Sequence, residues 1–160
     1  MQYPECVSRL VLYGGFPLGA NKRSPEDRER RTALVTLMRL EWGADSPAIR
    51  QMFATKLMPG ATKEQLATFN ELQRKTTSAE CAARYFEIAG DIDVVGLLAD
   101  VRVPTLVMHT RADAQVPFEY GRQLAAGIPG AKFVALQSDN HILLEQEPAT
   151  QRFFEEVSLF

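Results

Sequence analysis

Two hydrophobic patterns divide this sequence. Near the start and again near the end, short apolar runs without polar alternation are typical of strands buried on both faces of a parallel sheet. They cover Val7–Tyr13, which two glycines follow, then Thr105–Met108 and Lys132–Leu136. Helical patterns come after the second and third runs, over Pro117–Ala126 and Pro148–Ser158. The order strand, helix, strand, helix in the last third of the chain predicts a βαβ unit of an α/β fold.

Between these regions, from about residue 24 to residue 99, every signal is helical. Ser24 and Ser46 each precede a proline, and Thr62 opens a capping box, which are typical helix starts. Gly60 and Gly90 fall where left-handed helix terminators are common. Apolar residues recur at helical spacing throughout. The pattern predicts four helices, over residues 25–42, 47–58, 63–75 and 78–89, and a short helix near 94–99.

Composition narrows the classes of function. The chain has 160 residues, of which 46% are hydrophobic and 24% charged, and its formal net charge is −2. With 18 basic against 20 acidic residues, neither a nucleic acid nor a membrane is an expected partner. No apolar run approaches the roughly 18 residues of a membrane span, and Met1–Glu5 lacks the features of a signal peptide, so we expect a cytoplasmic protein. Cys6 and Cys81 match no metal or redox spacing. We expect buried or half-buried thiols there, and neither a metal nor a cofactor.

Polar residues directly after the second and third predicted strands are the candidates for chemistry. Asp113 follows the second strand, and His141 follows the third. In parallel α/β sheets functional groups gather beyond the carboxyl ends of the strands, and neighbouring strands lie only about 4.8 Å apart. A carboxylate that accepts the Nδ1 proton of a histidine leaves Nε2 free to act as a base. The two side chains are therefore predicted to reach each other and to work as a pair.

Other interpretations of these residues stay open. A histidine in a polar loop is commonly only solvated, and an aspartate ahead of Pro117 commonly caps a turn or a helix. Asp91, Asp93 and Asp139 are weaker candidates for the acid. His109, at the end of a predicted strand, is expected to be structural or to support the site indirectly.

Two segments near the carboxyl end resemble a known superfamily. The segment from Val103 to Pro117 looks like the acid segment of the α/β-hydrolase fold, and Asn140-His141 followed by Glu147-Pro148 resembles its histidine segment. The resemblance implies that Asp113 is the acid of a catalytic triad and that His141 is its base. The family order, acid before histidine, is kept.

The rest of the chain fits the same resemblance. Tyr3-Pro4-Glu5 with Val7 and Leu10–Leu12 is similar to the strand that follows the nucleophile helix in that superfamily. The implied fold class is α/β, a partial α/β-hydrolase fold with about three parallel strands, flanking helices and an inserted all-helical cap. The implied segments are a core strand of the sheet over 1–15, a helical cap or lid over 16–100, and a carboxy-terminal βαβ-α segment with the acid and the histidine over 101–160.

The sequence departs from the family pattern in two places. Thr110 occupies a loop position where the family commonly has glycine. The Gly-x-Ser-x-Gly elbow of the family's nucleophile occurs nowhere in the sequence, and Ser8 and Ser138 lack its flanking glycines. The resemblance therefore implies the carboxy-terminal part of a hydrolase, whose nucleophile comes from a missing amino-terminal half.

The expected function is hydrolysis of a small, fairly apolar ester, thioester or similar bond in a small-molecule substrate. His141 would act as general base and Asp113 would orient it, while a serine and an aspartate nucleophile both stay open. The alternative is a non-catalytic ligand-sensing or interaction module, or an inactive truncated gene product, because a positioned acid–base group by itself contributes only roughly 10² to 10⁴ in rate. The strand at Arg9–Tyr13 would also leave an apolar sheet edge open, through which copies of the chain could associate.

Overall fold

A computed structural model describes residues 6–160 in two compact units. One unit combines the residues up to Pro17 with Val94–Phe160, and the other is the intervening segment Leu18–Asp93. The segment Tyr3-Pro4-Glu5, which belongs to the predicted core strand, lies outside the described residues. The short helix expected near 94–99 is a 3-10 helix over Val95–Asp100, in the unit that holds the sheet. That Leu18–Asp93 acts as a cap stays a prediction.

The sheet has three parallel strands, and the predicted βαβ unit is present. The elements of this unit are β1 (Leu10–Tyr13), β2 (Thr105–Thr110), α5 (Phe118–Gly127), β3 (Lys132–Leu136) and α6 (Pro148–Leu159), and the strand order in the sheet is β1, β2, β3. Tyr13, the last residue of β1, pairs in register with Met108 of β2. All six residues of β2 are buried because a strand lies on each side of β2 and core clusters cover both of its faces.

Alternate side chains of β2 enter different halves of the core. Val107 packs with Leu124 of α5 in one hydrophobic cluster. Met108, its neighbour, packs with Ala149 of α6 in another cluster. This alternation is the normal consequence of the two-residue period of a strand. It fixes α5 and α6 against the sheet and so fixes the loops that precede each helix.

The prediction that the first strand is buried on both faces is wrong. Within residues 6–160, β1 pairs with β2 alone, and Val11 in its middle is 38% exposed. A strand reaches full burial only where neighbours and helices surround it, and β1 lies at the margin of the described sheet. Within the described residues, β1 is therefore an edge strand.

The segment Leu18–Asp93 is helical, with helices close to the predicted bounds. The Ser24 hydroxyl accepts the N–H of Asp27, and Thr62 with Gln65 forms the predicted capping box. A hydrophobic cluster centred on Met38, which is fully buried, lies among the helices. None of the helices within residues 6–160 is both long and apolar enough to cross a bilayer. The helices are α1 (Pro25–Glu41), α2 (Ala48–Leu57), α3 (Lys63–Thr76) and α4 (Ala79–Asp91), after a 3-10 turn at Ala20–Lys22.

Two helix-boundary predictions are wrong. Pro47, rather than Ser46, is the residue that caps α2, and no side chain supplies a cap hydrogen bond there. Gly90 lies inside α4 instead of ending it. A Cβ at Gly90 would lie 2.6 Å from Nε of Arg31, so this glycine permits the close approach of a side chain rather than a turn.

The expectation for the two cysteines is also wrong, because both Cys6 and Cys81 are exposed. Cys81 lies in the first turn of α4, where its backbone N–H donates to the Ser78 cap, and its side chain is on the solvent side of the helix. The amphipathic pattern of α4 buries Ala82 and Ala83 instead.

Candidate active site

Asp113 and His141 lie side by side beyond the carboxyl ends of β2 and β3. Nδ1 of His141 is 2.7 Å from Oδ2 of Asp113. The Asp113 side chain is fully buried, while the His141 side chain is 22% exposed. A carboxylate only accepts hydrogen bonds, so Nδ1 has the proton, and Nε2 of the neutral ring is the basic nitrogen. The structure brings the two residues together, while their catalytic roles stay a prediction.

The Asp113 carboxylate also builds the turn on which it sits. Its Oδ1 accepts hydrogen bonds from the backbone N–H groups of Gln115 and Val116, each at 2.8 Å. Pro117 follows and begins α5 as its N-cap. The turn-forming role and the role as partner of His141 are therefore compatible, because each uses a different oxygen of the carboxylate.

Hydrogen bonding keeps the Asp113 carboxylate ionised. Burial by itself would raise its pKa, since low-dielectric surroundings disfavour the charged form. The hydrogen bonds from His141 and from the backbone N–H groups of Val116 and Gln115 outweigh burial and hold the pKa below its ordinary value of 3.8. At neutral pH the carboxylate is therefore an acceptor for the Nδ1 proton of His141.

The loop that contains His141 is organised by the carboxylate of Glu147. This carboxylate accepts hydrogen bonds from the Ser138 hydroxyl at 2.6 Å, the Leu144 backbone N–H at 2.6 Å and the Asn140 side-chain amide at 3.3 Å. Asn140 is only 3% exposed, and its backbone N–H donates to the Ser138 hydroxyl. The Ser138 hydroxyl thus serves both as donor and as acceptor inside the loop, and its hydrogen bonds stabilise the loop itself.

The end of β1 contacts His141 from another direction. The Tyr13 hydroxyl donates a hydrogen bond to the carbonyl oxygen of His141 at 2.7 Å. Gly14, the next residue, has a φ of +59°, and a Cβ built on it would lie 2.7 Å from Cε1 of His141. Both residues therefore belong to the immediate surroundings of the imidazole.

His109 lies next to the Asp113 turn and is fully buried. Its Nε2 is 2.9 Å from the carbonyl oxygen of Val116 and 3.5 Å from Oδ2 of Asp113. A carbonyl only accepts, so Nε2 has the proton. Nδ1 has no hydrogen-bond partner and packs against Gly121, where a Cβ would lie only 2.6 Å away. This geometry supports the expected indirect role, in which His109 holds the turn of Asp113.

The weaker candidates for the acid lie elsewhere. Asp91 and Asp93 both belong to the helical unit, where Asp91 accepts a hydrogen bond from Asn21 at 3.0 Å. Asp139 is exposed. Among residues 6–160, only Asp113 has a carboxylate within hydrogen-bond distance of the His141 ring. Thr110, where the family commonly has glycine, is fully buried at the end of β2.

The described part of the chain contains no group of three His, Cys, Asp or Glu side chains that could bind a metal ion.

Sequence reasoning missed three residues of the site, namely Tyr13, Gly14 and Glu147. Two signals point to them. A glycine pair at the end of a strand marks a close approach of backbone and side chain, and a glutamate directly before Pro148 marks a helix start.

Comparisons with known proteins agree on one superfamily. The family model described as TAP-like protein matches residues 67–156, which is more than half of the chain. The chain is 24% identical over 145 residues to a 2-hydroxy-6-oxononadienedioate/2-hydroxy-6-oxononatrienedioate hydrolase from Pseudomonas sp.. It is 27% identical over 140 residues to a protein of the same description from Paraburkholderia phymatum. These matches cover 88% and 83% of this chain but 50% and 47% of the relatives, so the chain spans about half the length of the curated relatives it matches.

Solved structures show the same relation in three dimensions. An esterase from Exiguobacterium antarcticum matches with a TM-score of 0.74 at 19% identity, over 96% of this chain and 56% of the esterase. An enol-lactonase from Burkholderia xenovorans matches with a TM-score of 0.71 at 20% identity, over 96% of this chain and 57% of the lactonase. At such identities the likeness concerns the fold, and it confirms the predicted partial α/β-hydrolase fold.

Proposed function

The chain belongs to the TAP-like family of α/β-hydrolases, and from that premise we propose that it is the carboxy-terminal part of a hydrolase of a small, fairly apolar ester, thioester or similar bond. His141 acts as the general base, and Asp113 orients it. The 2.7 Å hydrogen bond between Nδ1 of His141 and the buried carboxylate of Asp113 is the observation on which the proposal rests. The nucleophile comes from a segment that is not among these 160 residues, because their sequence contains no Gly-x-Ser-x-Gly elbow.

The geometry of the pair defines the proton transfers. When a serine hydroxyl attacks the carbonyl carbon of the substrate, Nε2 of His141 takes its proton, and the resulting imidazolium is stabilised by the ionised Asp113. The same proton then passes from Nε2 to the leaving alkoxide or thiolate. Water regenerates the enzyme when Nε2 accepts its proton as it attacks the acyl intermediate. If the nucleophile is an aspartate, it needs no deprotonation, and His141 takes part only in the last step, where Nε2 accepts a proton from the attacking water.

The rate contribution of each catalytic group explains why the proposed enzyme requires the segment with the nucleophile. A positioned acid–base group contributes roughly 10² to 10⁴ in rate, and one oxyanion donor contributes a further factor of about 10² to 10³. Covalent catalysis depends on the nucleophile itself. Asp113 and His141 alone therefore support only weak activation of water, and we expect efficient turnover only when the missing segment is present.

Two of the solved structures support the proposed bond class. The enol-lactonase and the esterase that resemble this chain in fold are named for acyl–oxygen bonds, which is the bond class proposed here.

Reconstitution tests the proposal. The chain is produced together with an amino-terminal half that contains a Gly-x-Ser-x-Gly elbow, and hydrolysis of p-nitrophenyl butyrate is followed. We expect His141→Ala to lower kcat/KM by roughly 10² to 10⁴, because the general base is lost. Glu145→Gln, which changes an exposed residue of the same loop, is the matched control and keeps full activity. Unchanged activity in His141→Ala would contradict the assignment.

The DNA that precedes this chain in frame gives an independent test. We expect it to encode a nucleophile elbow. If it encodes none, the second candidate function, a ligand-binding module without chemistry, is favoured by the intact Asp113–His141 pair in a sequence without a nucleophile. Calorimetric binding of a short-chain ester without any turnover would then support that candidate.

A further inference from the structure

Tyr13 connects the edge strand to the candidate base. Its hydroxyl donates a hydrogen bond to the carbonyl oxygen of His141 at 2.7 Å, although 128 positions of the chain separate the two residues. The bond reaches the backbone of His141, so it acts on the position of the whole residue. The ring of Tyr13 also stacks on the imidazole, with the centroids 6.3 Å apart and the planes inclined by 29°.

The tyrosine itself is held from two sides. Phe153 of α6 makes an edge-to-face contact with its ring at a centroid distance of 5.3 Å. Directly after Tyr13, the backbone N–H of Gly14 donates to the carbonyl oxygen of Met108 in β2 at 3.1 Å. Tyr13 therefore joins three elements, β1, β2 and α6, to the loop of His141, and its ring has little freedom to move.

The environment keeps the Tyr13 hydroxyl protonated. Burial raises its pKa well above the ordinary value, and the negative charges of Asp113 and Glu147 raise it further. At neutral pH the phenol is therefore protonated and donates its hydrogen bond to the carbonyl oxygen of His141.

Gly14 completes the surroundings of the imidazole. Its φ of +59° is a left-handed conformation that favours glycine, and a Cβ there would lie 2.7 Å from Cε1 of His141. Cε1 of His141, the ring carbon between the two nitrogens, therefore packs against the backbone of Gly14. Within residues 6–160, Nδ1 is bonded to Asp113 and Nε2 has no hydrogen-bond partner.

We propose that Tyr13 is a positioning residue for His141. Together with Gly14 it fixes the backbone and the rotamer of the histidine, so that Nδ1 stays hydrogen-bonded to Asp113 and Nε2 is free to accept a proton. The inference rests on the proposed role of His141 as general base. A change of the His141 side-chain torsion would break the bond to Asp113, and an error of about 1 Å in a catalytic group commonly costs around 10² in rate. Tyr13 touches neither substrate nor reacting atoms in this scheme and acts only through His141.

Nitrogen-15 NMR of the imidazoles in the full chain tests the proposal directly. The sequence has only two histidines, so His109 is an internal reference in every spectrum. Tyr13→Phe removes the hydroxyl and keeps the ring. We expect the Nδ1 proton of His141 to exchange with water roughly fivefold faster in this variant, the effect of one lost hydrogen bond, while the signals of His109 do not change. Tyr85→Phe, at a tyrosine that is 70% exposed, is the matched control and leaves both histidines as they are.

Identical proton exchange and nitrogen shifts for His141 in Tyr13→Phe and in the unmodified chain would overturn the proposal. If Tyr13→Phe does not fold, the unmodified chain decides by itself. The proposal requires a nuclear Overhauser effect between the Hα protons of Gly14 and Hε1 of His141, and a second between the ring protons of Tyr13 and His141. Absence of both would overturn it.

Kinetics of the reconstituted enzyme separates this inference from the proposed function. We expect Tyr13→Phe to lower kcat roughly tenfold or more and to leave KM unchanged, since only the position of the base is altered. If the unmodified chain does not hydrolyse esters after reconstitution, the proposed function fails and the NMR comparison still decides the role of Tyr13. If the unmodified chain hydrolyses esters and His141→Ala lowers activity as expected, but Tyr13→Phe equals the unmodified chain in kcat and in the spectra, the inference about Tyr13 alone fails.

Discussion

Nδ1 of His141 lies 2.7 Å from Oδ2 of Asp113, across 28 positions of the chain. The parallel pairing of β2 with β3 creates this proximity, because each residue lies in the loop directly after its strand. The other oxygen of the carboxylate is committed to the backbone N–H groups of its own turn. The carboxylate is therefore fixed by local structure, independently of its hydrogen bond to the histidine.

Asp113→Asn should separate these two uses of the carboxylate. The amide keeps one oxygen for the backbone N–H groups of Gln115 and Val116, but its NH₂ group cannot accept the Nδ1 proton of His141. We expect a folded chain whose reconstituted esterase kcat is lower by about 10⁴, the loss that a comparable exchange causes in serine proteases. Asp139→Asn, at an exposed position, is the control for the assay. Activity within a few-fold of the unmodified chain in Asp113→Asn would remove Asp113 from the mechanism.

The lowered pKa of Asp113 predicts a pH dependence of stability. Since the folded pKa lies below the ordinary value of 3.8, the unfolded chain binds more protons than the folded one as the pH falls. The contribution of Asp113 is therefore complete above about pH 4 and is lost as the pH falls through the folded pKa. Urea unfolding at pH 3 to 7 should show that the difference in unfolding free energy between the unmodified chain and Asp113→Asn narrows below pH 4. A constant difference over this range would contradict the prediction.

Local patterns predict most of the fold and the two central residues of the site. The helix starts at Ser24 and Thr62 depend on neighbouring residues only, and a cap and a spacing show them directly. Asp113 and His141 follow strands, so the rule for parallel sheets finds them. Tyr13 could not be found in this way because its contact with His141 spans 128 positions and depends on the packing of α6. The apolar run over β1 predicts burial on both faces, but Val11 is 38% exposed, because a hydrophobic run does not show which neighbours cover a strand.

Glu147→Gln should loosen the loop of His141. The carboxylate accepts from Ser138, Leu144 and Asn140, and the amide would turn an NH₂ group toward one of these donors. An unsatisfied partly buried donor costs about 1–3 kcal/mol, and we expect this loss in urea unfolding. Glu145→Gln changes an exposed residue two positions earlier in the same loop and should alter stability by less than about 0.5 kcal/mol. Equal effects of the two exchanges would show that the hydrogen bonds of Glu147 do not stabilise the loop.

The open edge of β1 leads to a prediction about self-association. Exposed edge strands pair with other chains, and a lysine on such a strand opposes this pairing. Val11, in the middle of β1 and 38% exposed, is the position to change. We expect the isolated chain to associate increasingly with concentration in sedimentation velocity experiments and Val11→Lys to shift it toward monomer. Leu159→Lys removes a more exposed apolar residue, at 82%, from α6. An equal shift with Leu159→Lys would assign the association to general surface hydrophobicity rather than to the edge of β1.

Gly121→Ala should destabilise the protein although it replaces a glycine inside a helix. In a helix interior this exchange normally stabilises by up to about 1 kcal/mol, because alanine has the higher helix propensity. At Gly121 of α5, however, the new Cβ would lie 2.6 Å from Nδ1 and 2.8 Å from Cβ of His109. His109 is fully buried, and its Nε2 is tied to the carbonyl oxygen of Val116, so the ring cannot move away without disturbing the turn of Asp113. We therefore expect a loss of about 1–3 kcal/mol in urea unfolding, the usual cost of overpacking. Gly96→Ala, where the Cβ would meet open space, should be neutral within about 0.5 kcal/mol. A more stable Gly121→Ala variant would show that His109 has room to move, and the turn of Asp113 would then not depend on it.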